Sequence, residues 1–265
     1  MKGTPVYRHV HLITKSLCLG FVGLSCLVLA AQQPTELVYQ LSFPAPQHRW
    51  LEVNVEFSDL IDGPLHVRMS SASPGRYARH EFSKNIIDIS FTGVGDSSVT
   101  VQQRGVGHWE IKDHGGAVHV QYRIFGDRVD GTYLGVDSTH AHLNLPATLV
   151  WAEGLESRAV RLILTPPPGA IDWNVATQLF PTTDPLIFTA PNLAYLLDSP
   201  IEYGPFSQRI FNVRDPEVPA YQPRFRVAVH HNGTSEELDL FAESVERIVR
   251  ETVAIFGEFP RFETD

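Results

Sequence analysis

Residues 51–57 read Leu51-Glu52-Val53-Asn54-Val55-Glu56-Phe57, apolar and polar in strict alternation. In an extended chain successive side chains leave on opposite faces. This stretch therefore puts Leu51, Val53, Val55 and Phe57 on a core and the polar residues in water. The same period of two returns in Val118, Val120, Tyr122 and Ile124, and again in Phe225, Val227 and Val229. Further strands are predicted over 37–43, 65–70, 86–91, 98–104, 148–151, 159–165 and 208–213. Turn clusters separate them, among them Asp62-Gly63-Pro64, Ser73-Pro74-Gly75, His114-Gly115-Gly116 and Pro166-Pro167-Pro168-Gly169. The pattern predicts a mainly β chain, with an antiparallel β-sandwich-like domain over residues 31–232.

At Ser235 the period changes. Leu238, Phe241, Val245, Ile248, Val249, Thr252, Val253 and Phe256 recur at steps of three and four, as on one face of a helix. Ser235 is read as the cap, with Glu236, Glu237 and Asp239 favouring the helix dipole in the first turn. Gly257 and Pro260 stop the element. One long C-terminal helix over 235–256 is the result.

The first thirty residues carry a different message. Lys2, Arg8 and Lys15 precede the apolar run SLCLGFVGLSCLVLAA (16–31). That run is shorter than the roughly twenty residues of a membrane span. Val28-Leu29-Ala30 offers small residues at the positions a signal peptidase accepts. Residues 1–30 are therefore read as a signal peptide, and the chain as exported to a periplasmic or extracellular space, with no stable membrane span after cleavage; an uncleaved anchor is the alternative. The two cysteines, Cys18 and Cys26, both lie in this segment, so a thiol mechanism in the body of the chain is excluded. A net charge of -9, from 21 basic and 30 acidic residues, excludes a nucleic-acid binder, which needs a basic face.

Motifs with chemistry are scarce. Neither a nucleophile elbow nor a phosphate-cradling glycine loop is present. His80-Glu81-Phe82-Ser83-Lys84 approaches a zincin motif, but Lys84 stands where the second imidazole must be. His140 and His142 could reach one strand face and supply two metal ligands, with no third nearby in sequence; polar residues at a strand edge are the commoner reading. His230 and His231 point to opposite faces. Asp127, Asp130 and Asp137 sit beside Arg128 in a Gly-rich loop. Asp198 and Glu202 lie on a connection stiffened by Pro200 and Pro205, an acidic pair suited to a cationic group such as a peptide amino terminus.

Several stretches resemble the N-terminal part of the glycyl aminopeptidase family, secreted zinc metallopeptidases of metallopeptidase family 61. They are SSASPGRYARHEFSKNI (70–86), VQYRIFGDRVDGTYLGVDSTHAHLNLPATLVWAEG (120–154), VATQLFPT (175–182), LLDSPIEYGPF (196–206) and VAVHHNGTSEELDLFAESVERIVRETVAIFGEFP (227–260). The resemblance implies a β-rich N-terminal domain followed by a thermolysin-like catalytic domain carrying H-E-x-x-H. It implies that residues 233–265 are the start of a truncated catalytic domain. Zinc is then expected in the missing domain and none in this chain, which has no catalytic or metal residue of its own and is expected to be inactive alone. Its expected partners are the catalytic domain of the full-length peptidase and that enzyme's peptide substrates. By the same resemblance Asp198 and Glu202 are the substrate-facing candidates. The alternative is an exported stand-alone β-sandwich module that binds a peptide or glycan.

Overall fold

The alternating stretches form strands where the pattern put them. In the computed structural model, which describes residues 35–128, 130–218 and 220–259, the chain opens with β1 (Leu37–Ser42), β2 (Trp50–Phe57) and β3 (Leu65–Met69). β4 (Ile86–Thr92), β5 (Thr100–Gly105), β6 (His108–Lys112) and β7 (Val118–Phe125) follow. Three short strands come next, β8 (Gly135–Val136), β9 (Ala141–Leu143) and β10 (Val150–Ala152). Then come β11 (Val160–Thr165), β12 (Asn174–Thr177), β13 (Phe180–Pro181) and β14 (Ile187–Ala190). A short helix α1 (Leu193–Leu197) leads into β15 (Ile201–Gly204), β16 (Ser207–Asn212), β17 (Arg224–Val229) and the long helix α2 (Ser235–Phe256). The signal segment 1–30 and the helix-stopping Pro260 lie outside the described residues.

The strands form a seven-stranded sheet in the order β13-β14-β11-β1-β2-β7-β4, two four-stranded sheets, β10-β3-β6-β5 and β12-β15-β9-β8, and the pair β16-β17. Pairing is antiparallel with one correction to the expectation: β1 and β11 run parallel, Leu37 against Val160 through Ser42 against Thr165. A parallel pair needs a long crossover, and here the intervening chain builds most of the other sheets before it returns.

One face of the large sheet is the core. Tyr39, Leu41, Val53, Val55, Phe57, Val120, Tyr122, Leu162 and Leu164 are buried, and their sequence neighbours are more exposed. Two phenols bolt this face to β10 and the turn before it. Tyr39 donates to the Val150 carbonyl (2.9 Å). Tyr122 donates to the Thr148 carbonyl (2.8 Å) and accepts the Val150 N–H (3.0 Å). Burial raises both phenols well above their ordinary range, so both stay neutral donors. Just beyond β1, the Phe43 ring meets Tyr203 of β15 and Trp173 (centroids 5.5 and 6.2 Å), which joins the large sheet to the β12-β15-β9-β8 sheet.

Helix α2 has the predicted bounds, but its cap is Thr234 and Ser235 is its first helical residue. The Thr234 hydroxyl accepts the Glu237 N–H and the Glu237 carboxylate accepts the Thr234 N–H, a reciprocal box. Those bonds from Thr234 hold the Glu237 carboxyl below its usual range. Gly257 closes the other end in the left-handed region (φ 87°). The buried side is narrower than the periodicity predicted. Leu238, Ala242 and Val253 are buried, and Val253 packs with Val249 on Val213, Phe211 and Phe225. Phe241, Ile248 and Phe256, expected on that stripe, are 51, 65 and 75% exposed, and Ile255 beside them is 78% exposed. Among the described residues no helix is long and apolar enough to cross a membrane.

Candidate functional site

β15 alternates, with Ile201 and Tyr203 buried and Glu202 turned to the other face. The antiparallel register of β9 and β15 sets His142 directly opposite Glu202. The His142 Nδ1–H donates to Glu202 Oε2 at 3.2 Å. His140, two residues earlier, brings its Nε2 to 4.0 Å from Glu202 Oε1. His230, just past the end of β17, stacks on His140 (centroids 3.9 Å, planes 18° apart) and donates through Nδ1 to the Pro205 carbonyl (2.8 Å). Gly204 makes the approach of the His140 turn possible: a Cβ there would lie 2.6 Å from His140 Cβ and 3.0 Å from its Cα.

The floor of the site is incompletely satisfied. Glu202 Oε1 and His142 Nε2 are both buried and have no hydrogen-bond partner among the described residues. Such atoms are uncommon in folded proteins and mark places where a ligand or water completes the bonding. Two clefts meet here, and Glu202 and His142 line both. One, of about 580 Å³, also takes in Arg49, Asp127, Asp137, His140 and Phe241. The other, of about 670 Å³, takes in Thr177, Gln178, Phe225, Arg226 and Phe259.

The electrostatics are set by neighbours. Burial works against ionisation of Asp137, but bonds from the Thr139 hydroxyl and N–H and the His140 N–H outweigh it and hold the carboxyl below its usual range. His140 is held below the ordinary imidazole range chiefly by burial; Glu202 opposes this and His230 adds to it. The unfolded chain takes up this proton near about pH 6.5, and the folded chain only at lower pH. The stability tied to His140 is thus present above about pH 6.5 and is lost as pH falls through the depressed folded value. Urea midpoints of the wild type should fall between about pH 7 and 5, and His140→Gln should flatten that fall; an equal slope in both proteins would contradict the assignment.

Of the two carboxylates singled out in the sequence, the structure brings only Glu202 to the clefts. Asp198 ends α1, exposed; its N–H bonds the Ala194 carbonyl and its own carbonyl accepts from Gln178 Nε2 (2.8 Å). Asp130 is a turn residue, accepting the N–H groups of Thr132 and Tyr133. His80 stacks on Phe82 at the start of a 3-10 turn, not on an α-helix, so the zincin reading fails on backbone geometry as well as on Lys84. His231 accepts the Gly233 N–H and His230 stacks on His140; β17 ends at Val229, so the alternation expected for the pair does not extend to them. His140 and His142 do share a site, as two histidines two apart on a strand allow. Among the described residues, however, no group of three His, Cys, Asp or Glu is placed to hold a metal ion.

No curated protein sequence matches the chain. A crystal structure of an aminopeptidase N family protein from Idiomarina loihiensis superposes with a TM-score of 0.71 at 20% identity, over 85% of this chain and 38% of that one. At that identity it is the fold that is shared, and this chain spans well under half the length of that protein. The M1 zinc metallopeptidase from Deinococcus radiodurans reaches a TM-score of only 0.41 at 11% identity, over 77% of this chain and 48% of that one. Residues 38–205 match the family described as the Peptidase M61 N-terminal domain. That match covers more than half of the sequence, from β1 to the end of β15, so the chain belongs to the peptidase M61 N-terminal domain family.

Proposed function

We propose that this chain is the non-catalytic N-terminal domain of an exported zinc aminopeptidase of the glycyl aminopeptidase type, and that it helps to shape the substrate cleft. One observation carries the reading. Glu202 presents a buried carboxylate oxygen with no hydrogen-bond partner among the described residues where two clefts meet. An ammonium group is the natural complement of such an oxygen, because a charged donor makes the stronger bond and relieves the desolvated anion. A free peptide amino terminus supplies that ammonium. Asp198 acts at one remove, as the end of the helix that delivers the chain to β15.

The exposed Phe241, Ile248, Ile255 and Phe256 on α2 support a catalytic domain seated on that face, since an apolar stripe of this kind is normally covered. Zinc would belong to that domain. The signal peptide at 1–30 would route the protein out of the cytoplasm.

In a full-length enzyme, Glu202→Gln should raise KM for peptides with a free amino terminus by about tenfold, with kcat changed little, as expected for lost ground-state binding. Asp198→Ala should leave KM within about twofold, since its exposed side chain lines neither cleft. An unchanged KM in Glu202→Gln would sink the reading.

A further inference from the structure

The groove on the Thr177 side of Glu202 is walled by two strand edges. Among the described residues β12 ends its four-stranded sheet, pairing only with β15, and β17 pairs only with β16. Thr177 and Gln178 line the groove from one side, and Phe225, Arg226 and Ala228 from the other. Arg226 reaches across it, its Nη2 donating to the Thr177 carbonyl at 3.3 Å.

That bond fixes a direction. The Thr177 carbonyl points away from β15, into the groove. In an antiparallel strand the N–H and C=O of one residue leave on the same side, and successive residues alternate. Val175 and Thr177 therefore turn their peptide groups outward, while Asn174 and Ala176 bond to Gly204 and Glu202. An open edge with groups displayed in this way is a template for another strand. The Arg226 side chain spans the groove, and a strand added at roughly 4.8 Å from the β12 edge would displace it from the Thr177 carbonyl.

We propose that the groove binds an extended peptide as an added strand on the outer edge of β12, with its amino end at Glu202. This rests on the reading of Glu202 as an amine-facing group. Glu202 stands opposite Ala176 in the register and lines the same groove, so its carboxylate faces the space that a peptide paired to β12 would enter. Recognition through the backbone makes the ligand class broad: unmodified extended peptides with a free amino terminus. Arg226 adds a bias. Among the described residues it pairs with no carboxylate, so an acidic side chain on the peptide would replace a neutral acceptor with a charged one.

The test is fluorescence anisotropy of this chain with a pentapeptide labelled at its carboxyl end, N-methylated at one position at a time. Expected is a loss of about tenfold at every second position and little between, the signature of one-sided strand pairing. Val175→Pro removes a groove-facing N–H and leaves the β15 ladder intact, since proline is tolerated on an outward edge; it should weaken binding about tenfold. If that variant misfolds by circular dichroism, the N-methyl scan on the wild type decides alone. A uniform or absent N-methyl effect, no binding at millimolar peptide, or an edge-to-edge dimer of the chain that peptide cannot displace would each overturn the proposal. Glu202→Gln separates the two readings. A period-two pattern that persists with no Glu202 effect keeps the groove and removes the amine anchor. A Glu202 effect, absent for N-acetylated peptide, without the pattern does the reverse.

Discussion

Replacing Phe43 with alanine should cost about 3–5 kcal/mol of unfolding free energy, the range for a buried aromatic truncated in a packed core. Phe43 is fully buried and sits between sheets. Its ring contacts Tyr203 and Trp173, which themselves meet edge to face at 5.0 Å. Removing it deletes the apolar burial and leaves a void between the Tyr203 and Trp173 rings. The loss should also reach the site. Tyr203 adjoins Glu202, and burial pushes its phenol up to about 12, so a hydrated void beside it would let that value relax. Urea unfolding followed by tryptophan fluorescence checks the first effect. A loss below about 1 kcal/mol would mean that Phe43 is not a packing anchor.

The second large effect belongs to Tyr122→Phe. The substitution keeps the ring and removes one oxygen that serves two bonds, to the Thr148 carbonyl and from the Val150 N–H. Both backbone groups are in the buried core. Each buried group left unpaired costs about 1–3 kcal/mol, so about 2–4 kcal/mol together is expected, allowing for partial relaxation. Tyr39→Phe, which breaks a single bond to the Val150 carbonyl, should cost about half as much. Equal effects of the two substitutions would argue against the double role of Tyr122. A difference in denaturant midpoint at unchanged m-value is the measurement.

How much of this was legible beforehand follows from which interactions are local. The strands with clear alternation, such as 51–57 and 118–124, were readable because one face meets the core along their whole length. β8, β12, β13 and β15 are two to four residues long, too short to show a period, and β12 and β15 also find their partners far away in sequence. Helix α2 was readable from its spacing. Its buried side was not, because a hydrophobic stripe says which residues can be buried and not which of them find a surface. Phe211 of β16 and Phe225 of β17 pack on Val249 and Val253, while Phe241 and Ile248 stay exposed.

The site divides in the same way. Glu202 could be singled out as one of an acidic pair on a stiff connection. Its equivalence with Asp198 could not survive folding. A four-residue separation that spans a helix end and a strand start places one carboxylate in solvent and the other on a sheet face. His140 and His142 carried a weak signal in their two-residue spacing, but their partner is Glu202, 60 residues away, and the β9-β15 register that joins them leaves no mark in either segment.

The sequence by itself determined the β character and the bounds of the long helix, since these depend on local period and composition. Only the tertiary structure decided which carboxylate faces the clefts, that His140 and His142 flank it, and that β1 and β11 run parallel. Those outcomes depend on strand register and on contacts between residues distant in the chain, where a shift of one position turns every side chain to the opposite face.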